Sequence, residues 1–371
     1  MPDIKIPESL KPSDGRFGSG PSKVRPDAVA NLASAAPSFL GTSHRQASVK
    51  TLVGQVRAGI ASLLDLPAGY EVMLGNGGTT GFWDAAAFCL IEQQSQHLSF
   101  GEFSSKFAAG IAAAPFLADP QVVKSEPGTH PSAVADASVD SYAFTHNETS
   151  TGVQMPIERP AGASGLVLVD ATSAAGGIRV SAGEFDCYYF APQKCFGSDG
   201  GLWLAAISPA AAERIERLAA GRWVPPSLDL KIALDNSRLD QTYNTPALAT
   251  LHLLASQLDW FNSNGGLEFS AGRCDASAAA IYGWADASPF ATPFVVATAE
   301  RSPVVATIDF DESVDALGLA KILRANSIVD TESYRKLGRN QLRIALFPAI
   351  DPEDIVALTA CIDYVVEALA A

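Results

Sequence analysis

The chain has 371 residues, of which 47% are hydrophobic and 18% charged, and its formal net charge at pH 7 is −14. A chain of this length exceeds the size at which one hydrophobic core usually stops growing, so two domains are expected. The composition is that of an α/β enzyme and excludes a disordered or fibrous chain. The acidic excess argues against a nucleic-acid partner, because neutralising phosphates requires a basic face.

The cysteines and histidines show no spacing typical of a metal site or a disulfide framework. The five cysteines lie far apart, as expected of reduced thiols in a cytoplasmic protein. No apolar run is long enough to span a membrane, and residues 1–10 lack the basic start and apolar stretch of a secretory signal. We therefore expect a cytoplasmic protein with no metal and no membrane partner.

Two polar segments precede the first predicted strand. A proline-rich arm covers residues 1–15, and the glycine turn Gly18-Ser19-Gly20-Pro21 follows it. The pair His44-Arg45 comes just before a helix in which apolar residues recur at helical spacing from Leu52 to Leu64. A His-Arg pair at the start of a helix can bind an anion, although such pairs are ordinarily solvated.

Short apolar runs between helical stretches predict a seven-stranded sheet. The predicted strands are 71–74, 97–100, 121–125, 141–145, 165–170, 187–191 and 201–207. Helical stretches at 81–93 and 104–116 separate the early strands, which indicates βαβ crossovers and a mainly parallel sheet between two layers of helices. Ligands of such sheets bind beyond the carboxyl ends of the strands.

The last third of the chain predicts a smaller α/β domain. Further helices are predicted at 209–221 and 247–262, and the glycine-rich stretch 262–266 is a plausible boundary. After it come helix 267–284, strand 304–310, helix 315–326, strand 342–347 and helix 352–370. The division is therefore an arm of residues 1–15, a large domain of residues 16–264 and a small domain of residues 265–371.

Polar residues follow several of the predicted strands. The loop from Gly75 to Thr80 leads directly into a helix, whose free backbone N–H groups can bind a phosphate, although a plain strand-to-helix turn remains an alternative. Asp170 closes a run of four apolar residues, so its carboxylate is either functional or part of a buried hydrogen-bond network. The basic stretch 334–343 is either a solvated loop or a clamp for carboxylate or phosphate.

Lys194 lies in a glycine-rich turn between two apolar strands. A lysine in such a turn is ordinarily a solvated surface charge. The alternative is a lysine that forms a Schiff base with a carbonyl cofactor. A phosphate-binding loop, an aromatic side chain, a threonine, an aspartate at a strand end and a lysine at the same sheet edge form the set that pyridoxal phosphate requires, which favours this alternative.

Several motifs together resemble the phosphoserine aminotransferases, which are fold-type I pyridoxal phosphate enzymes of the class V group, in their actinobacterial form. The motifs are FGSGP, SHR, GNGGTTG, THNETSTG, VDATSA, APQKCFG and YNTP, and they extend over most of the chain. The resemblance implies amino transfer between L-glutamate and 3-phosphohydroxypyruvate, giving O-phospho-L-serine and 2-oxoglutarate in serine biosynthesis. It also implies a homodimer with shared active sites.

The resemblance implies a role for each matching residue. Lys194 is the expected Schiff-base lysine and catalytic base, and Asp170 the expected partner of the pyridine nitrogen. The other expected cofactor-binding residues are Thr79, Thr80, Phe103, Thr149 and Gln193, together with Asn244 and Thr245 of the second subunit. The expected substrate-binding residues are Ser19, His44, Arg45, Arg335 and Arg343.

The chain departs from the family pattern at two positions. Phe103 stands where many members carry a tryptophan, and Tyr334 where better-known members carry a histidine. The choice among Arg335, Arg339 and Arg343 as the substrate contact is therefore open. So is the preference between 3-phosphohydroxypyruvate and the related phosphorylated keto acid of vitamin B6 synthesis.

Other functions remain open at this point. One is a different class V enzyme, such as an alanine–glyoxylate-type aminotransferase or a cysteine desulfurase. A desulfurase needs a reactive cysteine on a mobile loop, whereas Cys274 and Cys361 lie in helical stretches. A cofactor-free protein that kept the fold is the alternative outside enzymes.

Overall fold

A computed structural model of the chain describes residues 4–370, which contain ten α-helices and twelve strands. The helices are α1 (Pro26–Phe39), α2 (Ala47–Leu63), α3 (Thr79–Cys89), α4 (Glu102–Ala112), α5 (Pro209–Gly221), α6 (Leu230–Arg238), α7 (Leu248–Ser263), α8 (Gly266–Ala287), α9 (Ala316–Ala325) and α10 (Pro352–Ala370). The strands are β1 (Glu71–Asn76), β2 (Ser95–Ser99), β3 (Gln121–Lys124), β4 (Ser141–Thr145), β5 (Asn147–Glu148), β6 (Val153–Gln154), β7 (Leu166–Asp170), β8 (Cys187–Phe190), β9 (Leu202–Ile207), β10 (Ala291–Pro293), β11 (Val305–Phe310) and β12 (Gln341–Ala345).

Seven strands form one sheet in the order β1-β9-β8-β7-β4-β2-β3. β9 runs antiparallel to both of its neighbours, and the other pairings are parallel. The prediction of a mainly parallel seven-stranded sheet is therefore confirmed. Its central strands are buried along their whole length, which is why they appear in the sequence as continuous apolar runs.

Helices cover both faces of this sheet, as predicted. Successive side chains of a strand point to opposite faces, so Tyr188 and Phe190 of β8 contribute to one core cluster, and Cys187 and Tyr189 to the other. The first cluster includes side chains of α2, α7 and α8, and the second includes side chains of α3, α4, α5 and α6. The carboxyl ends of the parallel strands emerge between these two layers.

The second sheet has three antiparallel strands in the order β10-β11-β12, and α8, α9 and α10 pack beside it. The N-terminal segment is attached to these elements. The backbone N–H of Phe17 donates to the carbonyl of Val329, and the Ile6 N–H donates to Asn326 Oδ1. The buried ammonium of Lys23 lies 3.5–3.7 Å from three carboxylates, those of Asp14, Asp351 and Asp354. The N-terminal segment is thereby fixed before the chain reaches α1.

The predicted elements agree with the structure to within a few residues, while the predicted domain boundaries remain a prediction. The sequence patterns do not predict α6, the β5–β6 hairpin or β10. α6 has nine residues, each strand of the hairpin has two, and β10 contains Pro293. Elements this short carry too few periodic positions to stand out in a sequence. Of the helices within residues 4–370, none combines the length and apolar character needed to cross a membrane.

Candidate active site

A cavity of about 450 Å³ lies at the carboxyl ends of β4, β7 and β8. It brings together seven of the residues predicted from the sequence: Thr79, Thr80, Phe103, Thr149, Asp170, Gln193 and Lys194. These residues come from five separate segments of the chain. They meet because parallel strands deliver their carboxyl ends to the same edge of the sheet.

One end of the cavity is formed by the N-terminus of α3. Gly77 has a φ of +110°, a conformation that glycine adopts without strain, and Gly78 lies at the N-cap of the helix. No side chain caps this helix start, so its first N–H groups are available to an anion. The predicted phosphate loop therefore presents free backbone N–H groups at one end of the cavity.

Asp170 is buried at the end of β7, and both of its carboxylate oxygens accept hydrogen bonds. Oδ1 accepts from the backbone N–H of Thr172 at 2.9 Å and from its hydroxyl at 2.6 Å. Oδ2 accepts from the indole N–H of Trp83 at 3.0 Å. Burial raises the pKa of Asp170, and these hydrogen bonds oppose that rise. The carboxylate is thus positioned by its neighbours and partly compensated for its burial.

Lys194 faces the cavity from the turn that follows β8. Burial, with a smaller contribution from the charge of Arg343, lowers the pKa of Lys194 to about 8. Its amine donates a hydrogen bond to the carbonyl oxygen of Ser19. A Cβ atom at Gly20 would overlap with the Lys194 amine, so the N-terminal glycine turn packs directly on the lysine and leaves no room for a side chain there.

Thr149 is held by a group of buried hydroxyl and amide side chains. Its hydroxyl donates to Ser173 Oγ at 2.8 Å, and Asn147 Nδ2 donates to the same oxygen at 2.9 Å. Arg343 Nη1 donates to the carbonyl oxygen of Thr149 at 3.3 Å, which places this arginine next to a residue of the cavity. These hydrogen bonds hold the Thr149 side chain in one orientation before any ligand binds.

Four polar side-chain atoms at or beside the cavity are buried without a hydrogen-bond partner within the described residues. They are Ser19 Oγ, Asn147 Oδ1, Gln193 Oε1 and Arg343 Nε. Buried polar groups are normally paired, because an unpaired one costs about 1–3 kcal/mol. Four unpaired polar atoms around one cavity indicate that a polar ligand supplies their missing hydrogen-bond partners.

Phe103 is positioned by Glu148. The buried carboxylate of Glu148 accepts hydrogen bonds from the backbone N–H of Phe103 at 3.1 Å and of Ser104 at 3.0 Å, in the first turn of α4. A negative charge at a helix N-terminus is favourable, because the first N–H groups have no partner within the helix. The ring of Phe103 lies 6.2 Å from that of Tyr334, measured between centroids.

Seven of the predicted site residues are not among the residues that line this cavity: Ser19, Arg335, Arg343, His44, Arg45, Asn244 and Thr245. The last four lie close to one another. Thr245 Oγ1 is 3.0 Å from His44 Nδ1, and Arg45 donates a hydrogen bond to Gln241 Oε1. We call His44, Arg45, Asn244 and Thr245 the outer group.

The three arginines of the basic stretch differ in position. Arg335 is exposed in a short 3₁₀ turn, Arg335–Leu337. Arg339 is paired with Asp309 and lies over the ring of Phe294, with the guanidinium carbon 4.6 Å from the ring centroid. Of the three, Arg343 contacts a residue of the cavity.

Sequence reasoning assigned no role to Trp83, Glu148 or Ser173, which hold predicted site residues in place. Glu148 lies inside the quoted THNETSTG motif, so its position next to Thr149 was a usable signal. Trp83 lies in an apolar helical segment, where a tryptophan is ordinarily a core residue. Its contact with Asp170 depends on the fold.

The sequence model of one family, "Aminotransferase class-V", matches residues 26–331. The chain belongs to the class-V aminotransferases. A phosphoserine aminotransferase of Rhodococcus jostii is 59% identical over 366 residues, covering 98% of each protein. The match thus extends beyond the family model, into both ends of the chain.

Solved structures agree with the fold. A phosphoserine aminotransferase from Cytophaga hutchinsonii superposes with a TM-score of 0.85 at 24% identity, covering 95% of this chain and 99% of that one. A phosphoserine aminotransferase from Trichomonas vaginalis, described as bound to pyridoxal phosphate, gives a TM-score of 0.78 at 17% identity, covering 94% and 99%. At these sequence identities the comparison shows that the chains share a fold.

Within residues 4–370 we find no group of three or more His, Cys, Asp or Glu side chains arranged to hold a metal ion. The chemistry of the cavity is instead that of a lysine, a carboxylate and a helix N-terminus in one enclosed space. These are the groups that a class-V aminotransferase uses with pyridoxal phosphate.

Proposed function

We propose that this protein is a phosphoserine transaminase that uses pyridoxal phosphate to transfer an amino group between L-glutamate and 3-phosphohydroxypyruvate. The observation that carries the proposal is the single cavity that contains Lys194, Asp170 and the N-terminus of α3. The full-length similarity to the Rhodococcus jostii enzyme favours this activity over that of an alanine–glyoxylate-type aminotransferase. We expect the reaction to take place in the cytoplasm.

The residues of the cavity fit pyridoxal phosphate. In our proposal Thr79 and Thr80 bind the phosphate with the N–H groups of α3, and Phe103 stacks on the ring. Thr149 and Gln193 bind polar groups of the ring, which would give the unpaired Gln193 Oε1 a partner. When bound, the cofactor supplies a carbonyl carbon that amines attack and a ring that withdraws electron density from the substrate.

Lys194 provides the reactive amine. A pKa of about 8 leaves roughly a tenth of its amine neutral at pH 7, whereas an ordinary lysine is almost fully protonated there. A neutral amine can act as a nucleophile and, once released, can accept a proton from the substrate Cα at Nζ. The Ser19 carbonyl gives this amine a fixed acceptor while it is free.

Asp170 would provide the negative charge that pairs with the pyridine nitrogen. In our proposal its carboxylate keeps the pyridine nitrogen protonated, which increases the capacity of the ring to withdraw electrons. The three hydrogen bonds from Thr172 and Trp83 favour the ionised carboxylate despite its burial.

Ligand binding combines residues of two subunits in our proposal. In the outer group, His44 and Arg45 bind the substrate, and Asn244 and Thr245 bind the cofactor phosphate. Arg343 and Ser19 adjoin the cavity of their own chain, and Arg343 has a free Nε to offer to a carboxylate. The outer group lies outside its own cavity, which supports its delivery to the cavity of a second subunit. This delivery requires a homodimer.

Turnover with matched substrates tests the proposal. We expect amino transfer from L-glutamate to 3-phosphohydroxypyruvate at a kcat/KM at least about 100-fold above that for hydroxypyruvate. The reason is that hydroxypyruvate lacks the phosphate, the second anionic group that the arginines would bind. Equal rates with the two keto acids would contradict the phosphate-specific part of the proposal. The keto acid of vitamin B6 synthesis and glyoxylate serve as comparison substrates; faster transfer to glyoxylate would favour the alternative enzyme.

A further inference from the structure

Both oxygens of Asp170 are held by hydrogen-bond donors, and the donor on Oδ2 is an indole. Trp83 lies four residues after Thr79 on α3, so the two side chains share one face of the helix, and this face lines the cavity. The phosphate-binding turn and the indole are therefore part of one rigid element. The 3.0 Å bond from Trp83 Nε1 connects that element to the end of β7.

Packing fixes the orientation of the indole. The Trp83 side chain is stacked on Phe107, with ring centroids 5.7 Å apart, and the residue is 7% exposed. The hydroxyl of Tyr189 lies in the same cluster and is buried without a hydrogen-bond partner within the described residues. The indole N–H lies near this hydroxyl and donates its 3.0 Å hydrogen bond to Asp170.

We propose that Trp83 is a positioning residue for the transamination: its indole N–H keeps Asp170 ionised, so that the proton between Asp170 and the pyridine nitrogen stays on the ring. This inference rests on the proposed function. A hydrogen bond to the charged form of a carboxylate favours that form and lowers its affinity for a proton. Removing the indole N–H makes Asp170 a stronger base and draws the shared proton away from the ring.

The other ionisable side chains near Asp170 are held by contacts of their own. Lys194 donates to Ser19 O, Glu148 accepts from the first turn of α4, and Tyr188 lies 3.0 Å from His146 Nδ1 through its hydroxyl. Tyr189 is packed on Phe82 with ring centroids 4.4 Å apart. Exchange of the Trp83 side chain leaves the hydrogen bonds of Lys194, Glu148 and Tyr188 in place, whereas the Tyr189 hydroxyl loses its interaction with the indole N–H.

The test is Trp83→Phe, with Trp203→Phe as the matched control. Trp203 is an indole of the same core cluster that packs on Phe82 and Gly75 and makes no hydrogen bond to Asp170. Both variants and the parent chain are freed of cofactor and reloaded with ¹⁵N-labelled pyridoxal phosphate. The measurements are the dissociation constant of the cofactor and the ¹⁵N chemical shift of its ring nitrogen.

We expect Trp83→Phe to weaken cofactor binding about tenfold, the size of one charge-assisted hydrogen bond, and to move the ring nitrogen signal toward that of an unprotonated pyridine. Trp203→Phe should match the parent chain in both measurements. A Trp83→Met variant removes the same N–H with a flexible apolar side chain and should behave like Trp83→Phe. It provides the same test if the phenyl ring does not fit.

An unchanged ring nitrogen signal in both folded Trp83 variants would overturn the inference and leave Trp83 a packing residue. If the parent chain binds no pyridoxal phosphate, the proposed function fails, but the inference about Asp170 is still decided. In that case the carboxyl pKa of Asp170 is titrated in the chain labelled with ¹³C at aspartate Cγ, with Asp170→Asn to assign the signal. Trp83→Phe should raise this pKa, and an equal pKa would contradict the role of the indole.

Discussion

The walls of the cavity and the outer group are built in different ways. Asp170 and Thr149 are buried, lie at or just beyond strand ends, and have at least one hydrogen-bond partner each. In the outer group, Arg45 and Thr245 are exposed and lie in loops between helices. In our proposal, residues of one chain form most of the cofactor site, and the outer group of a second chain completes the shared site.

The largest expected effect is on the cofactor side, from Lys194→Ala. Loss of the amine removes both the covalent attachment of the cofactor and the proton carrier, so turnover should fall by about 1,000-fold or more. Lys231→Ala, which removes an ion pair on α6, is the control and should leave turnover unchanged. Normal turnover in the Lys194 variant would contradict the role of this residue.

Asp170→Asn should reduce kcat by about 100- to 1,000-fold, because a neutral amide cannot hold the proton of the pyridine nitrogen by charge. The amide keeps the shape of the side chain, so the effect should appear in kcat much more than in KM. Asp235→Asn, on the exposed side of α6, is the control. A variant with full kcat would assign Asp170 to the buried hydrogen-bond network alone.

Two arginines of the basic stretch 334–343 differ in their distance from the cavity and should differ in their effect on KM. Arg343→Gln should raise KM for both substrates about 10- to 100-fold, because it removes a cationic group beside the cavity. Arg339→Gln breaks its pair with Asp309 and should change KM by less than about threefold, as exposed ion pairs contribute little. Steady-state kinetics of the two variants, measured side by side, give the two KM values. Equal changes in KM would contradict the placement of Arg343 beside the cavity.

Glu148→Gln should reduce the free energy of unfolding by about 1–3 kcal/mol. The charged acceptor for the first N–H groups of α4 is lost, and Phe103 loses its fixed position. Denaturant unfolding of the cofactor-free chain measures the effect. Glu126→Gln in the β3–β4 connection is the control, and a stability equal to that of the parent would show that the charge of Glu148 is not needed.

The smallest expected effect is a pH dependence of cofactor attachment. Lys194 has a folded pKa of about 8, so the reactive neutral amine becomes more abundant as pH rises through 8 and reaches a plateau above it. The rate of covalent attachment to the cofactor-free chain should therefore rise about fourfold from pH 7.5 to pH 9. A rate that continues to rise tenfold per pH unit toward 10 would indicate an ordinary lysine.

The sequence predicts the large sheet and the cavity wall well, for a physical reason. Buried parallel strands are continuous apolar runs, and the polar residues that follow them must meet at one edge of the sheet. Asp170 and Lys194 meet because β7 and β8 are adjacent and parallel, and each residue follows the carboxyl end of its strand or closes it. Taken alone, Lys194 has the local pattern of an ordinary surface charge.

Other contacts could not be predicted because they join residues far apart in the chain. The bond from Trp83 to Asp170 links positions 87 residues apart, and the salt bridges of Lys23 connect the N-terminal segment to residues beyond 350. Neither has a local pattern. The choice of Arg343 over Arg339 likewise depends on which face of β12 and its preceding loop meets the cavity.

The most direct test of the account is to identify the residue that carries the cofactor. The purified protein, loaded with pyridoxal phosphate, is reduced with borohydride, digested and analysed by mass spectrometry. We predict a phosphopyridoxyl group on Lys194 and none on Lys23, which is also buried but is paired with three carboxylates. A chain without this modification, or one modified at a different lysine, would contradict the central role of Lys194.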